Sequence, residues 1–196
     1  MASTVASPAV PLPRVPAEEA GCAAGTAYAS WYERVLGWPV AGGPPVQLAT
    51  GSRFDVLELP SDAGTALLRR PVDTGPVALM GRRMRFLVAA GSAEELDGLL
   101  DWLEWGGVAL DLTALGAGGR ITAPAPPGQS PGPREAAVWL RPPEQGCEAL
   151  LPALPGSPGP GAGPDLVRLV AAAATECHRA RLRRRATRRG QPLAFS

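Results

Sequence analysis

Helix breakers set the limits on what this chain can fold into. Glycine (24) and proline (23) make up 47 of its 196 residues, close to a quarter, against an ordinary share of about 12%. Neither a long coiled coil nor a helix bundle with tight loops tolerates that load, because proline removes an amide donor and glycine costs backbone entropy. Yet 45% of the residues are apolar and the mean hydropathy is +0.02, so the whole chain cannot be disordered. What remains is a folded core of single-domain size wrapped in Pro/Gly-rich loops.

The near-neutral formal charge of +1 conceals a division. Residues 165–196 hold eight arginines against Asp165 and Glu176, which is +6, and residues 1–164 hold eleven arginines against sixteen acids, which is −5. The chain reads as an acidic body with a basic end. Every basic residue is Arg, Asn is absent and Ile121 is the single isoleucine, a pattern expected of a strongly GC-biased coding sequence. Cys22, Cys147 and Cys177 are odd in number and widely spaced, so they offer neither a disulfide framework nor a metal knuckle. The N-terminus lacks a basic region followed by a continuous apolar run, and no apolar stretch is long enough for a bilayer. The expectation is a reduced cytoplasmic protein without a membrane partner.

Periodicity divides the chain into an unstructured lead-in over 1–20, a domain over 21–141, a Pro/Gly-rich linker or long surface loop over 142–164, an amphipathic-to-basic helix over 165–189 and a tail over 190–196. Within the domain, Tyr28, Trp31, Tyr32, Val35 and Leu36 recur at helical spacing before a stop at Gly37. Arg53–Pro60 alternates as a strand, and Ser61 or Asp62 is placed to cap a short helix through Leu68. The apolar runs Pro76–Met80 and Met84–Ala89 flank Gly81-Arg82-Arg83 as a hairpin. Ser92 and Glu95 have capping-box spacing before Leu96, Leu99, Leu100 and Leu103, with Gly106-Gly107 as the stop. Val108–Leu112 and Arg120–Ala123 read as strands around the Gly116–Gly119 turn, and Ala136–Leu140 as a last short strand. Asp165 then caps a helix with Leu166, Leu169, Val170 and Ala173 on one stripe. That order predicts an α+β fold, a mainly antiparallel sheet flanked by helices.

Several of these segments resemble, in their order, the N-terminal domain of bifunctional DNA primase/polymerases, in the archaeo-eukaryotic primase superfamily. The parallels are Gly37-Trp38-Pro39-Val40 after the aromatic helix, Thr50-Gly51 before the central strand, Gly81-Arg82-Arg83-Met84 on the hairpin, and Gly118-Gly119 entering a strand that ends Ala123-Pro124. The resemblance implies a primase/polymerase-like sheet with strand carboxylates that hold divalent ions and a hairpin histidine that contacts the nucleotide. Polymerisation needs converging carboxylates for two ions, and residues i and i+2 of a strand share a face. Carried across, the first acid falls on Glu58, the second on Pro60, the third on Asp111 and the histidine on Met84. Two of four positions lack suitable chemistry, so the resemblance implies an eroded metal site with little or no synthesis, and Mg2+ or Mn2+ only where activity survives. Asp55 is three residues from Glu58 and falls on the opposite strand face.

Taken without the resemblance, Glu58 reads as a solvated edge-strand carboxylate, Asp111 as a turn residue and Met84 as core packing. Trp102 and Trp105 read as core or a partner groove, and Cys177-His178 diverge too far around a helix to ligate together. Gly116–Gly119 lacks the Lys and spacing of a phosphate loop. Arg179, Arg181, Arg183, Arg184, Arg185, Arg188 and Arg189 form the candidate nucleic-acid contact. A solvated end, or docking onto the acidic body of another copy, is the alternative. Two functions therefore stand: a primase/polymerase-like protein retaining nucleotide or nucleic-acid binding, or a structural or regulatory protein-interaction module on the same fold.

Overall fold

A computed structural model describes residues 25–43, 45–129, 137–156 and 163–189, without the side chains of Arg188 and Arg189. The expected lead-in, the 190–196 tail and Cys22 lie outside the described residues. The fold is α+β, as expected. Helix α1 is described from residue 25 onward and closes in a π-helical turn over Tyr32–Leu36, stopped by Gly37 at φ 68°. The short strands β1 (Val40–Ala41) and β2 (Gln47–Ala49) follow, then β3 (Asp55–Pro60) and α2 (Ser61–Leu67). The hairpin is β4 (Val77–Met80) and β5 (Arg83–Val88), its two-residue turn entered by Gly81 at φ 55°. Next come α3 (Leu96–Trp102), β6 (Thr113–Leu115), β7 (Arg120–Thr122), β8 (Val138–Arg141), a 3-10 turn at Cys147–Leu150, and α4 (Leu166–Arg189).

Among the described residues the strands form two antiparallel sheets, β1-β2-β7 and β6-β3-β5-β4-β8. The larger sheet separates two cores. On one face Leu57, Leu59, Met84, Phe86 and Val88 pack against α2, α3 and α4. Behind the other face Val56 and Leu87 join Tyr32, Trp38, Leu48, Phe54, Ile121 and Leu151. Alternation along β3 and β5 produces both faces from one pair of strands. Helix α4 buries Leu166, Leu169, Val170, Ala173, Ala174, Cys177 and Ala180 as one continuous stripe. Its start is capped as expected, Asp165 Oδ1 accepting from the Val167 N–H at 2.8 Å.

Helix α2 lies close on β5. A Cβ at Gly64 would sit 2.5 Å from Met84 Sδ and 2.9 Å from Met84 Cβ. Gly64→Ala is therefore expected to lower stability by about 1–3 kcal/mol through overpacking, although alanine is the better helix former. Urea unfolding measures it; an unchanged or raised midpoint would contradict the close approach.

Five expectations need correction. Neither Ser61 nor Asp62 caps α2: Pro60 holds its N-cap position, without a side-chain cap bond. Val108–Leu112 is not a strand; the strand begins at Thr113, and β6 and β7 pair into different sheets across the Gly116–Gly119 turn. Apolar content located the segment but carries no information about its pairing partner. The Ser92–Glu95 box does not form: Glu95 occupies the N-cap in helical conformation without a side-chain cap bond. At the other end α3 stops at Trp102, ahead of Gly106-Gly107, with Glu104 taking φ 63°. Finally, the described part of 142–164 is no free linker. Leu151 is buried in the second core, Pro152 O accepts from the Ala89 N–H at 2.9 Å, and Ala153 O accepts from the Leu166 N–H at 3.0 Å. Proline and glycine there serve tight packing against the body, a role their composition shares with mobile linkers.

Candidate functional site

Strand register brings the candidate residues together. Across the β3–β5 ladder, Glu58 faces Arg85 and Pro60 faces Arg83. The period of two then sets Glu58, Pro60, Arg83 and Arg85 on one face, at the end of the sheet that the second core leaves uncovered. Pro60 is tolerated because it is the last residue of β3, where the chain turns directly into α2.

Glu58 is held by both arginines. Arg83 Nε donates to Glu58 Oε1 at 2.9 Å and Arg85 Nε donates to Glu58 Oε2 at 2.7 Å. Arg83 Nη1 also donates to Asp111 Oδ1 at 2.6 Å. One guanidinium thus lies between the two carboxylates that the resemblance assigns to metal. Burial raises the Glu58 pKa, but hydrogen bonds and charge from Arg85 and Arg83 outweigh it and hold the carboxyl below its ordinary value. Arg83 responds in kind: burial disfavours its charge, and Asp111 and Glu58 more than restore it. The interaction is strongest where water is scarce; the Glu58 and Arg85 side chains are 17% and 14% exposed, whereas Asp111 is 53% exposed.

This donor set does not fit the divalent ions of a polymerase. Both Glu58 oxygens already accept from guanidinium groups, Pro60 supplies no side-chain oxygen, and two adjacent cations oppose a third. The described residues contain no group of three or more His, Cys, Asp or Glu able to hold a metal ion. Met84, at the position of the nucleotide histidine, does not join the site. It alternates onto the opposite face, 2% exposed, under Gly64 of α2.

Asp55 also lies on that opposite face, fully buried, with Oδ2 accepting from the Ala93 N–H at 2.9 Å. Its Oδ1 has no hydrogen-bond partner, and burial raises its pKa. It fastens the loop before α3 to the start of β3, a role the sequence did not signal. Cys177 and His178 diverge as expected. The Cys177 thiol enters the core, where burial pushes it up to about 12, and the His178 ring packs on Trp105 with centroids 5.6 Å apart.

The basic end divides into committed and open arginines. Arg179 pairs with Glu176 at 3.0 Å, Arg181 donates to the Ala109 carbonyl, and Arg184 donates to both carboxylate oxygens of Asp62 at 2.9 Å. Glu176 is itself buried and also receives Arg70, a clamp between α4 and the turn after α2 that sequence reading missed. Its one signal was an acid inside an otherwise basic helix. Arg183 and Arg185 are exposed and make no ion pair among the described residues. The side chains of Arg188 and Arg189 lie outside the described residues. A groove of about 380 Å3 lined by Arg70, Val72, Arg168 and Ala171 shares no residue with the Glu58 cluster.

No family model, curated protein or solved structure matches this chain. No helix among the described residues is long and apolar enough to cross a membrane.

Proposed function

We propose that this chain is a non-synthesising protein on a primase/polymerase-like sheet, acting through protein contact rather than nucleotidyl transfer. The observation that carries this reading is Arg83 seated between Glu58 and Asp111. An internal guanidinium does there what a bound ion would do electrostatically, screening two carboxylates from each other, but it has no open coordination position for a phosphate or a 3′-hydroxyl. The engagement of Arg179, Arg181 and Arg184 within the chain supports the same reading, since it removes three of the arginines otherwise available to phosphates.

Primer extension by the pure protein with Mg2+ or Mn2+ is the test. No nucleotide incorporation is expected with either ion. Extension that Glu58→Ala abolishes would overturn the reading.

A further inference from the structure

Helix α3 turns Leu96 and Leu99 into the first core and leaves its other side in water. That outer side carries Glu94, Glu95, Asp97, Asp101 and Glu104, all exposed and none ion-paired among the described residues. Among them stands Trp102, 72% exposed, while its sequence partner Trp105 is half-buried against His178. An indole exposed within a ring of one charge has the anatomy of an interface anchor and its polar rim. The open end of α4 has the opposite character: Leu182 is 49% exposed, between Arg183 and the rest of the helix, and Arg183 and Arg185 pair with no anion among the described residues.

We propose that the Trp102 face of α3 docks the basic end of α4 from a second copy of this chain. The surfaces are complementary in charge, and an arginine guanidinium is the side chain best suited to lie over an indole. Among the described residues, one molecule does not satisfy both surfaces itself. Its α4 packs beside α3 but is fixed by the buried stripe through Ala180 and by the Arg184–Asp62 pair, in a position where Arg183 and Arg185 pair with none of the acids around Trp102. The contact joins two different patches, so it closes reciprocally into a two-fold dimer or propagates as a ring or open chain, according to the rotation between copies. This inference names the partner implied by the protein-contact reading and rests on it.

Sedimentation of the full chain at low and high salt tests it. The expected result is a mass above the 20.2 kDa monomer at low salt that falls toward it as salt rises. Trp102→Ala alone, and Arg183→Glu with Arg185→Glu, should each weaken association more than tenfold. The first variant keeps an intact basic end and the second an intact acidic face. Mixing the two should restore a one-to-one dimer that grows no further, which nonspecific charge attraction would not give. A wild type that remains monomeric at its highest soluble concentration overturns the proposal, as does association that survives both variants. Steep salt-dependent oligonucleotide binding by a monomeric chain, lost with Arg183 and Arg185, would assign those arginines to nucleic acid and also overturn it. A monomer that extends no primer would refute the docking and leave the non-synthesising reading standing.

Discussion

Replacing Trp38 with alanine is expected to remove about 3–5 kcal/mol of stability, the range for a large buried aromatic. That is much of what a domain of this size has in total. The indole is 1% exposed and touches three parts of the chain at once. Its ring lies 4.6 Å from Phe54 and 6.2 Å from Tyr32, centroid to centroid, and its Nε1 donates to Glu148 Oε1 at 2.6 Å. It therefore fastens the exit of α1, the approach to β3 and the segment after β8. Urea unfolding followed by circular dichroism measures the loss. Trp38→Phe should recover most of the packing but not the bond to Glu148, leaving a residual loss of about 1 kcal/mol. A Trp38→Ala loss below that residual would mean that the second core does not depend on this contact.

Arg83→Ala carries the second large effect, about 1.5–3 kcal/mol at neutral pH, because it withdraws charge-assisted hydrogen bonds from Glu58 and Asp111 together. The loss should depend on pH in one direction. The carboxyl of Glu58 is held below its ordinary value in the fold, so its stabilisation is fully present above the unfolded pKa of about 4.3 and vanishes as pH falls through the folded value. Wild type and variant should therefore converge in acid. Asp55, three residues earlier, acts with the opposite sign: its pKa is raised by burial, so its ionisation costs stability as pH climbs from the unfolded toward the folded value. A gap between wild type and Arg83→Ala that widens on acidification would contradict the assigned contacts. Unfolding midpoints across the carboxylate range decide it.

Local patterns were legible where a rule acts within a few residues. The alternation of Asp55–Pro60, the Gly81 turn and the Asp165 cap each follow from neighbours in sequence, and each is present. The buried stripe of α4 was legible too, as far as Cys177, and it continues to Ala180 because the basic residues around it extend outward from an unbroken apolar line. Pairings set by distant residues were not legible. Thr113–Leu115 goes to β3 and Arg120–Thr122 to β2, although only the Gly116–Gly119 turn separates them. At the candidate site, the sequence offered Glu58 and Asp111 but not the arginine between them, which lies 25 residues from one and 28 from the other. In sequence Arg83 reads as part of the Gly81-Arg82-Arg83 turn. A one-residue shift in that turn places it on the strand and on the carboxylate face, since alternation converts register directly into side-chain direction.

The position of α4 in the chain imposes an order on biosynthesis. The second core draws its buried residues from Tyr32 to Leu151, so it is complete before α4 has been translated. The first core is not. Helices α2 and α3 lie on Leu57, Leu59, Met84 and Phe86 first, and residues 166–180 complete the cover; at roughly 5–20 residues per second that interval lasts seconds. A nascent chain therefore emerges with one half able to assemble and the other only partly covered. Helix α4, made after both sheets, closes the half of the protein that would otherwise be open to chaperones and to other nascent chains.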